Sequence, residues 1–190
     1  NKGEYLKELG LVVKKKLKDI FGSNFNIFKD KFNYKPPGGE GFFCHYDGVF
    51  YFNDLNNNKK KGWYEYADYF VNVGIPIDQC TEESGTLEMS QIHKLPFEKL
   101  ILNTKNDGTP QLLDSVEKKL DFQLLNLNIG DIAIFSNLAP HRSKKNNSSN
   151  SRRILYYTYV PEKFGNLYEK YFFDKKNSKN KTSKSFAGEI

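Results

Sequence analysis

Histidine and arginine are scarce in this chain, with three of each among 190 residues, beside one Met, one Trp and two Cys. Two thiols, Cys44 and Cys80, form no C-x-x-C pair, which excludes a disulfide framework and a cysteine-built zinc module. No apolar run reaches the roughly 18 residues of a membrane-spanning helix, and no secretory leader pattern opens the chain. These absences lead to the expectation of a soluble, cytoplasmic protein with reduced thiols and no membrane partner. The first residue is Asn rather than Met, which leaves room for a preceding segment. The net charge of +6 is carried by Lys, with only Arg142, Arg152 and Arg153 as guanidinium groups. Lys without interleaved Arg in stretches such as "DLNNNKKKGW" reads as a solvated surface, and no nucleic-acid partner is expected.

At this length the chain is read as a single domain, residues 1–190, able to bury a sizeable core. Residues 4–21, "EYLKELGLVVKKKLKDIF", carry a helical stripe of Leu6, Leu9, Val13, Leu17, Ile20 and Phe21. "FGSN" ends that helix and "YKPPGGEGFF" is a loop. Short strand-like runs follow at 42–52, 68–77, 85–90, 122–127, 131–136 and 152–160, separated by turn signals such as "NDGTP" and "NIGD". Helical turns fit only near 96–101 and 110–119. The fold expected is mainly β, an antiparallel double-stranded β-helix (jelly roll) with its core at about 40–160, flanked by the N-terminal helix. The Lys/Ser/Asn-rich segment from 174 to 190 is expected to be a mobile tail.

The run "FFCHYDGVFYF" at 42–52 places an imidazole and a carboxylate inside an apolar strand. Strand alternation puts His45 and Asp47 on one face and Cys44, Tyr46 and Gly48 on the other. A partly buried carboxylate needs a partner, which is either a simple His–Asp ion pair or a metal. His141 supplies a second imidazole, at a strand end in "GDIAIFSNLAPHRS". All three Arg fall within the twelve residues 142–153 beside it. Arg is the side chain that grips a carboxylate through two parallel bonds. Arg152 and Arg153 are strand neighbours, so one faces inward and needs an anion. Two His, one Asp and an inward Arg together read as a facial iron triad with an anionic co-substrate.

These segments resemble the phytanoyl-CoA dioxygenase-like Fe(II)/2-oxoglutarate oxygenases. The resemblance covers roughly 40–160 and rests on "HYD" at 45–47, "EESGTLEMSQIH" at 82–93, "GDIAIF" at 130–135 and "HRSKKNNSSNSR" at 141–152. It implies His45, Asp47 and His141 as iron ligands and catalytic residues, with Arg152 on the distal carboxylate of 2-oxoglutarate, helped by Ser143. It also implies a jelly-roll oxygenase that hydroxylates a substrate with molecular oxygen and releases succinate and carbon dioxide. Asp47 sets the chain apart from the halogenase variant, which has a small residue there. "SQIH" departs from the family's "PGSH", which bears on His93.

Other residues divide between site and core. His93 is either a pocket residue or a surface histidine. Trp63, Tyr64, Tyr66 and Tyr69 are either a substrate wall or core packing, and Cys44 is read as a buried inert thiol. The substrate expected is a small polar or anionic metabolite, an aminoalkylphosphonate being the specific candidate. Arg142, Lys144 and Lys145 are the expected positive groups at its entrance. The competing class is a non-catalytic jelly-roll binding protein or a Lys-rich nucleic-acid binder.

Overall fold

The computed structural model describes residues 2–92 and 95–177. A helix, α1 (Lys2–Phe21), leads into β1 (Phe25–Lys35) and β2 (Phe42–His45), a small hairpin of β3 (Phe52–Asn53) and β4 (Lys59–Lys60), then β5 (Val71–Pro76) and β6 (Leu87–Met89). Two one-turn helices, α2 (Phe97–Leu100) and α3 (Asp114–Glu117), precede β7 (Gln123–Leu124), β8 (Ala133–Ser136), β9 (His141–Ser143), β10 (Arg152–Pro161) and α4 (Tyr168–Asn177). The strands build two antiparallel four-stranded sheets, a major one ordered β1-β10-β5-β8 and a minor one ordered β2-β9-β6-β7. This is the jelly roll that the short, evenly punctuated strands predict.

Each face of the major sheet has its own chemistry. On the outer face, Val71, Val73, Tyr157 and Tyr159 pack against Val13 and Leu17 of α1, with Phe25 closing the cluster. The helical stripe is narrower than its sequence pattern. Leu9, Val13 and Leu17, four residues apart, meet the sheet, whereas Leu6 and Ile20 are exposed. On the inner face, β-sheet register aligns Lys29 with Thr158, Lys31 with Tyr156, Asn33 with Ile154 and Lys35 with Arg152. A register shift between Ile27 and Lys29 sets this phase.

Strand β1 is the longest among the described residues and begins well before residue 40, mostly in a stretch the sequence pattern left unassigned, its last two residues falling in the expected loop. Its alternation is inverted: Lys35 and Asn33 are buried at 3% and 7% exposure, while Phe32 and Tyr34 are 52% and 42% exposed. The run 42–52 is a shorter strand than its composition suggests, because the chain bends after His45. At the other end, residues 168–177 form α4, so the expected tail is helical at its start; residues 178–190 lie outside the described residues. No helix among the described residues is long and apolar enough to cross a membrane.

Both thiols are buried, and burial pushes the Cys44 thiol up to about 12, as expected of an inert packing residue. Leu17 is fully buried between α1 and the major sheet. Leu17→Ala should therefore cost ~2–5 kcal/mol of stability, read as a lower denaturant midpoint with an unchanged slope.

Candidate metal centre

The last residue of β2, His45, is register-paired with the first residue of β9, His141. Their ring centroids are 4.2 Å apart. Asp47 follows in the bend after β2 and reaches both imidazoles, with Oδ1 3.8 Å from His45 Nε2 and Oδ2 3.8 Å from His141 Nε2. One ligand atom from each of the three residues lies within 4.8 Å of the other two.

The backbone orients the donors. The Nδ1 atom of His45 lies 2.9 Å from the Phe43 carbonyl, and that of His141 lies 2.9 Å from the Ala139 carbonyl. With a proton on each Nδ1, both Nε2 lone pairs face Asp47, the tautomer that a metal ligand requires. Burial, reinforced by repulsion from His141, drops the His45 imidazole to about 4, so this ring stays neutral near pH 7. Burial pushes the Asp47 carboxyl up, but His141, His45, Lys29 and Lys31 together hold it below the usual carboxylate range. Two imidazoles, the His45 ring neutral, and one ionised carboxylate make a donor set suited to a divalent transition metal.

Two asparagines absent from the sequence reading fix Asp47. Asn72 of β5 donates from Nδ2 to Asp47 Oδ2 at 2.8 Å and accepts from Thr158 Oγ1 of β10 at 2.8 Å. Asn137, just after β8, accepts from the Asp47 backbone N–H at 3.0 Å through its carbonyl and donates its side-chain amide to the Asp47 carbonyl at 3.1 Å. Gly48 completes the bend at φ +79°, where a Cβ would lie 2.5 Å from the Trp63 ring. Neither Asn carries a motif; only the fold reveals them.

The expected Arg152 is fully buried. Its Nη1 donates to the Gly85 carbonyl at 3.0 Å and its Nη2 to Asn33 Oδ1, while Nε has no partner. Lys35, its cross-strand neighbour, donates to the carbonyls of Gly85 and Lys144 and, at 2.9 Å, to Ser143 Oγ. Burial first, then the Arg152 charge, lowers the Lys35 ammonium to about 7. Two buried basic groups thus stand side by side with no carboxylate of the described residues bonded to either. Ser143 lies two residues beyond His141 on β9, which connects this cationic end to the triad.

Arg153 faces the opposite way and grips Asp78 through Nε and Nη2 at 2.8 and 2.7 Å. Arg142, Lys144 and Lys145 do not form the expected positive entrance. Arg142 bonds Glu88 and Glu117, Lys144 pairs with Glu82 and Glu88, and Lys145 pairs with Glu40. Trp63 is buried beside Phe28 and Phe70, Tyr64 and Tyr69 pack against neighbouring core clusters, and Tyr66 donates to Asp174. His93 lies outside the described residues.

The family profile described as Phytanoyl-CoA dioxygenase (PhyH) matches residues 2–154. The chain belongs to the phytanoyl-CoA dioxygenase family. Among curated relatives, a 2-aminoethylphosphonate dioxygenase from Uncultured bacterium HF130_AEPn_1 is 32% identical over 83% of this chain and 54% of its own length. A methylphosphonate hydroxylase from Gimesia maris is 29% identical over 84% of this chain and 54% of its own length. The chain spans about half the length of these curated relatives. The epimerase SnoN, solved in complex with Fe3+, alpha ketoglutarate and nogalamycin RO, shares the fold at a TM-score of 0.59 and 15% identity, over 78% of this chain and 55% of that one.

The Asn72 bridge makes metal affinity a readout of positioning within this family scaffold. Asn72→Ala should weaken metal binding by ~10–100-fold with the fold retained by circular dichroism, and Asp47→Ala should abolish tight binding. Metal titration of both variants checks the order of effects.

Proposed function

We propose that this chain is an Fe(II)- and 2-oxoglutarate-dependent dioxygenase acting on a small anionic substrate, a phosphonate. The observation that carries the reading is the combination of a convergent His–Asp–His triad with a fully buried Arg152 whose Nε lacks an acceptor. The triad alone fits many metal enzymes; the anion-seeking guanidinium beside it specifies an acidic co-substrate. The phosphonate names of the two curated relatives support the substrate class.

In this reading His45, Asp47 and His141 hold the ferrous ion, and bound iron with 2-oxoglutarate and oxygen supplies the hydroxylation, releasing succinate and carbon dioxide. The chain's own contribution is placement. Arg152 receives the distal carboxylate of 2-oxoglutarate on its unpartnered Nε edge. Lys35 and Ser143 add an ammonium and a hydroxyl at the same end. Asn72 holds the orientation of Asp47. Phe135, edge-on to His141 at 5.5 Å, together with Leu87 and Ala139, forms an apolar wall that keeps bulk water from the metal side.

Arg152→Lys should raise the KM for 2-oxoglutarate at least tenfold, because a point charge cannot replace a planar two-pronged donor. Arg153→Lys should leave that KM unchanged, since Arg153 is engaged with Asp78. Succinate formation at varied co-substrate concentration separates the two.

Proton uptake supplies an independent check. At pH 8 a Lys35 ammonium lowered to about 7 is mostly neutral. A carboxylate arriving beside it raises that affinity, so 2-oxoglutarate binding should draw a proton from the buffer. The uptake should fade below pH 6, where Lys35 is already charged, and shrink in Lys35→Met. Calorimetry in buffers of different ionisation enthalpy measures it.

A further inference from the structure

We propose that Met89 is an oxidation site of the metal centre: turnover without a substrate converts its thioether to the sulfoxide and closes the site. This assignment rests on the dioxygenase reading above and adds a self-limiting modification to it. Met89 is the single Met of the chain. Strand register places it opposite His141, which in turn stands opposite His45, so β2, β9 and β6 carry the row His45–His141–Met89. Paired residues of antiparallel strands project to the same face, with Cβ atoms ~4.5–5.5 Å apart. The thioether therefore shares the face of the two imidazoles.

Its surroundings leave it open on that face. Of residues 84–90, six are buried and Met89 alone keeps partial exposure. The His45 and Asp47 side chains keep 13% and 22% exposure. An inward side chain with exposed surface, one row position from His141, is open from the same space as the triad. Met89 packs against the cluster of Leu87, Phe135 and Ala139, and Phe135 lies edge-on to His141 at 5.5 Å. Other oxidisable rings border the centre: the Phe43 centroid is 5.6 Å from that of His45, and Tyr156 packs against the Phe135 cluster. Sulfur is preferred over these rings because it offers a polarisable lone pair on a flexible three-bond stem, and oxygen transfer to it breaks no bond.

The step balances with the co-reactants of the proposed activity. The Met89 thioether, 2-oxoglutarate and molecular oxygen give the Met89 sulfoxide, succinate and carbon dioxide. One oxygen atom joins a sulfur lone pair, and the other enters the new carboxylate of succinate. Sulfur and the keto acid each lose two electrons, and oxygen takes up four. A sulfoxide is polar where the thioether is apolar. Formed against Leu87, Phe135 and Ala139, it breaks the apolar wall beside His141. Reduction by a methionine sulfoxide reductase restores the thioether, so the closure is reversible.

The test uses the 190-residue chain, with Fe(II) and 2-oxoglutarate binding first measured by calorimetry without oxygen. When Met carries a labelled methyl group, the Met89 resonance is assigned by its loss in Met89→Leu. At saturation, paramagnetic Co(II) should move that resonance at least five times further than diamagnetic Zn(II), and Asp47→Ala should abolish the difference. The chain loaded with Fe(II) and 2-oxoglutarate is then exposed to oxygen, with catalase present and no substrate added. Peptide mass spectra should show Met89 sulfoxide at least tenfold above controls lacking 2-oxoglutarate, with at least one succinate released per sulfoxide. The rate of succinate formation should fall at least fivefold as sulfoxide accumulates and return on treatment with the reductase, whereas Met89→Leu should show no reductase-reversible loss. A methyl signal indifferent to Co(II), sulfoxide formed equally without 2-oxoglutarate, or Met89 left unmodified, whether or not Phe43, Phe135 or Tyr156 gains oxygen instead, each overturns the assignment and leaves the oxygenase reading standing. A chain that binds neither Fe(II) nor 2-oxoglutarate removes the dioxygenase reading itself, and this site with it.

Discussion

The hydrogen-bond chain Thr158–Asn72–Asp47 ties the two sheets together at the point where chemistry is possible. Thr158 and Asn72 belong to the two central strands of the major sheet, whereas Asp47 follows the edge strand of the minor sheet. Without this link, the bend after His45 would be held mainly by Asn137, whose amide fixes the Asp47 backbone but not its carboxylate. Both imidazoles are already aligned by strand register and by backbone carbonyls. The carboxylate is the one donor on a short, bent segment, and it therefore has the most need of outside support.

The inner face of the major sheet is organised by charge. Lys29, Lys31, Lys35 and Arg152 all point between the sheets, an arrangement that an apolar core would not tolerate. Around Lys35 and Arg152, neutral acceptors take the hydrogen bonds: backbone carbonyls, the Ser143 hydroxyl and the Asn33 amide oxygen. The Gly85 carbonyl takes hydrogen bonds from both Lys35 and Arg152. Gly85 itself sits at φ +68°, and a Cβ there would come within 2.4 Å of the Lys144 carbonyl oxygen. A neutral, glycine-enabled acceptor solvates the cations without cancelling them, which leaves their charge for a ligand.

The convergence of His45, Asp47 and His141 was legible because it combines scarce residues with fixed spacings. Histidine and arginine are rare here, so "HYD", His141 and the eleven-residue step to Arg152 stand out against a Lys/Asn-rich background. Strand β1 was illegible for the opposite reason. Sequence patterning assumes that the inward face is the apolar one, and "FNIFKDKFNYK" turns its lysines in and Phe32 and Tyr34 out. The supporting asparagines carry no periodic signal, and β9 is only three residues of "HRS". The charged entrance built from Arg142, Lys144 and Lys145 failed as an inference because its glutamate partners are distant in sequence and appear only once the minor sheet is assembled.

A face built this way has to be stabilised from its other side. Outer positions of the same strands pack Val71, Val73, Tyr157 and Tyr159 against α1, so one set of strands carries both the apolar core and the cationic chamber. The chamber opposes folding. Lys35 is lowered to about 7 in the folded chain from 10.5 in the free side chain, so between those values the unfolded state binds more protons and stability rises with pH. Below that window both states hold the proton, and burial of the charge costs its full amount. An anion that binds only the folded state offsets that cost by mass action, and it does so through the same Arg152 and Lys35 contacts that orient it. Affinity for an acidic co-substrate and the instability of the empty chamber are therefore two measures of one electrostatic strain, and a substitution that relieves the strain by removing a cation should weaken the grip on the ligand.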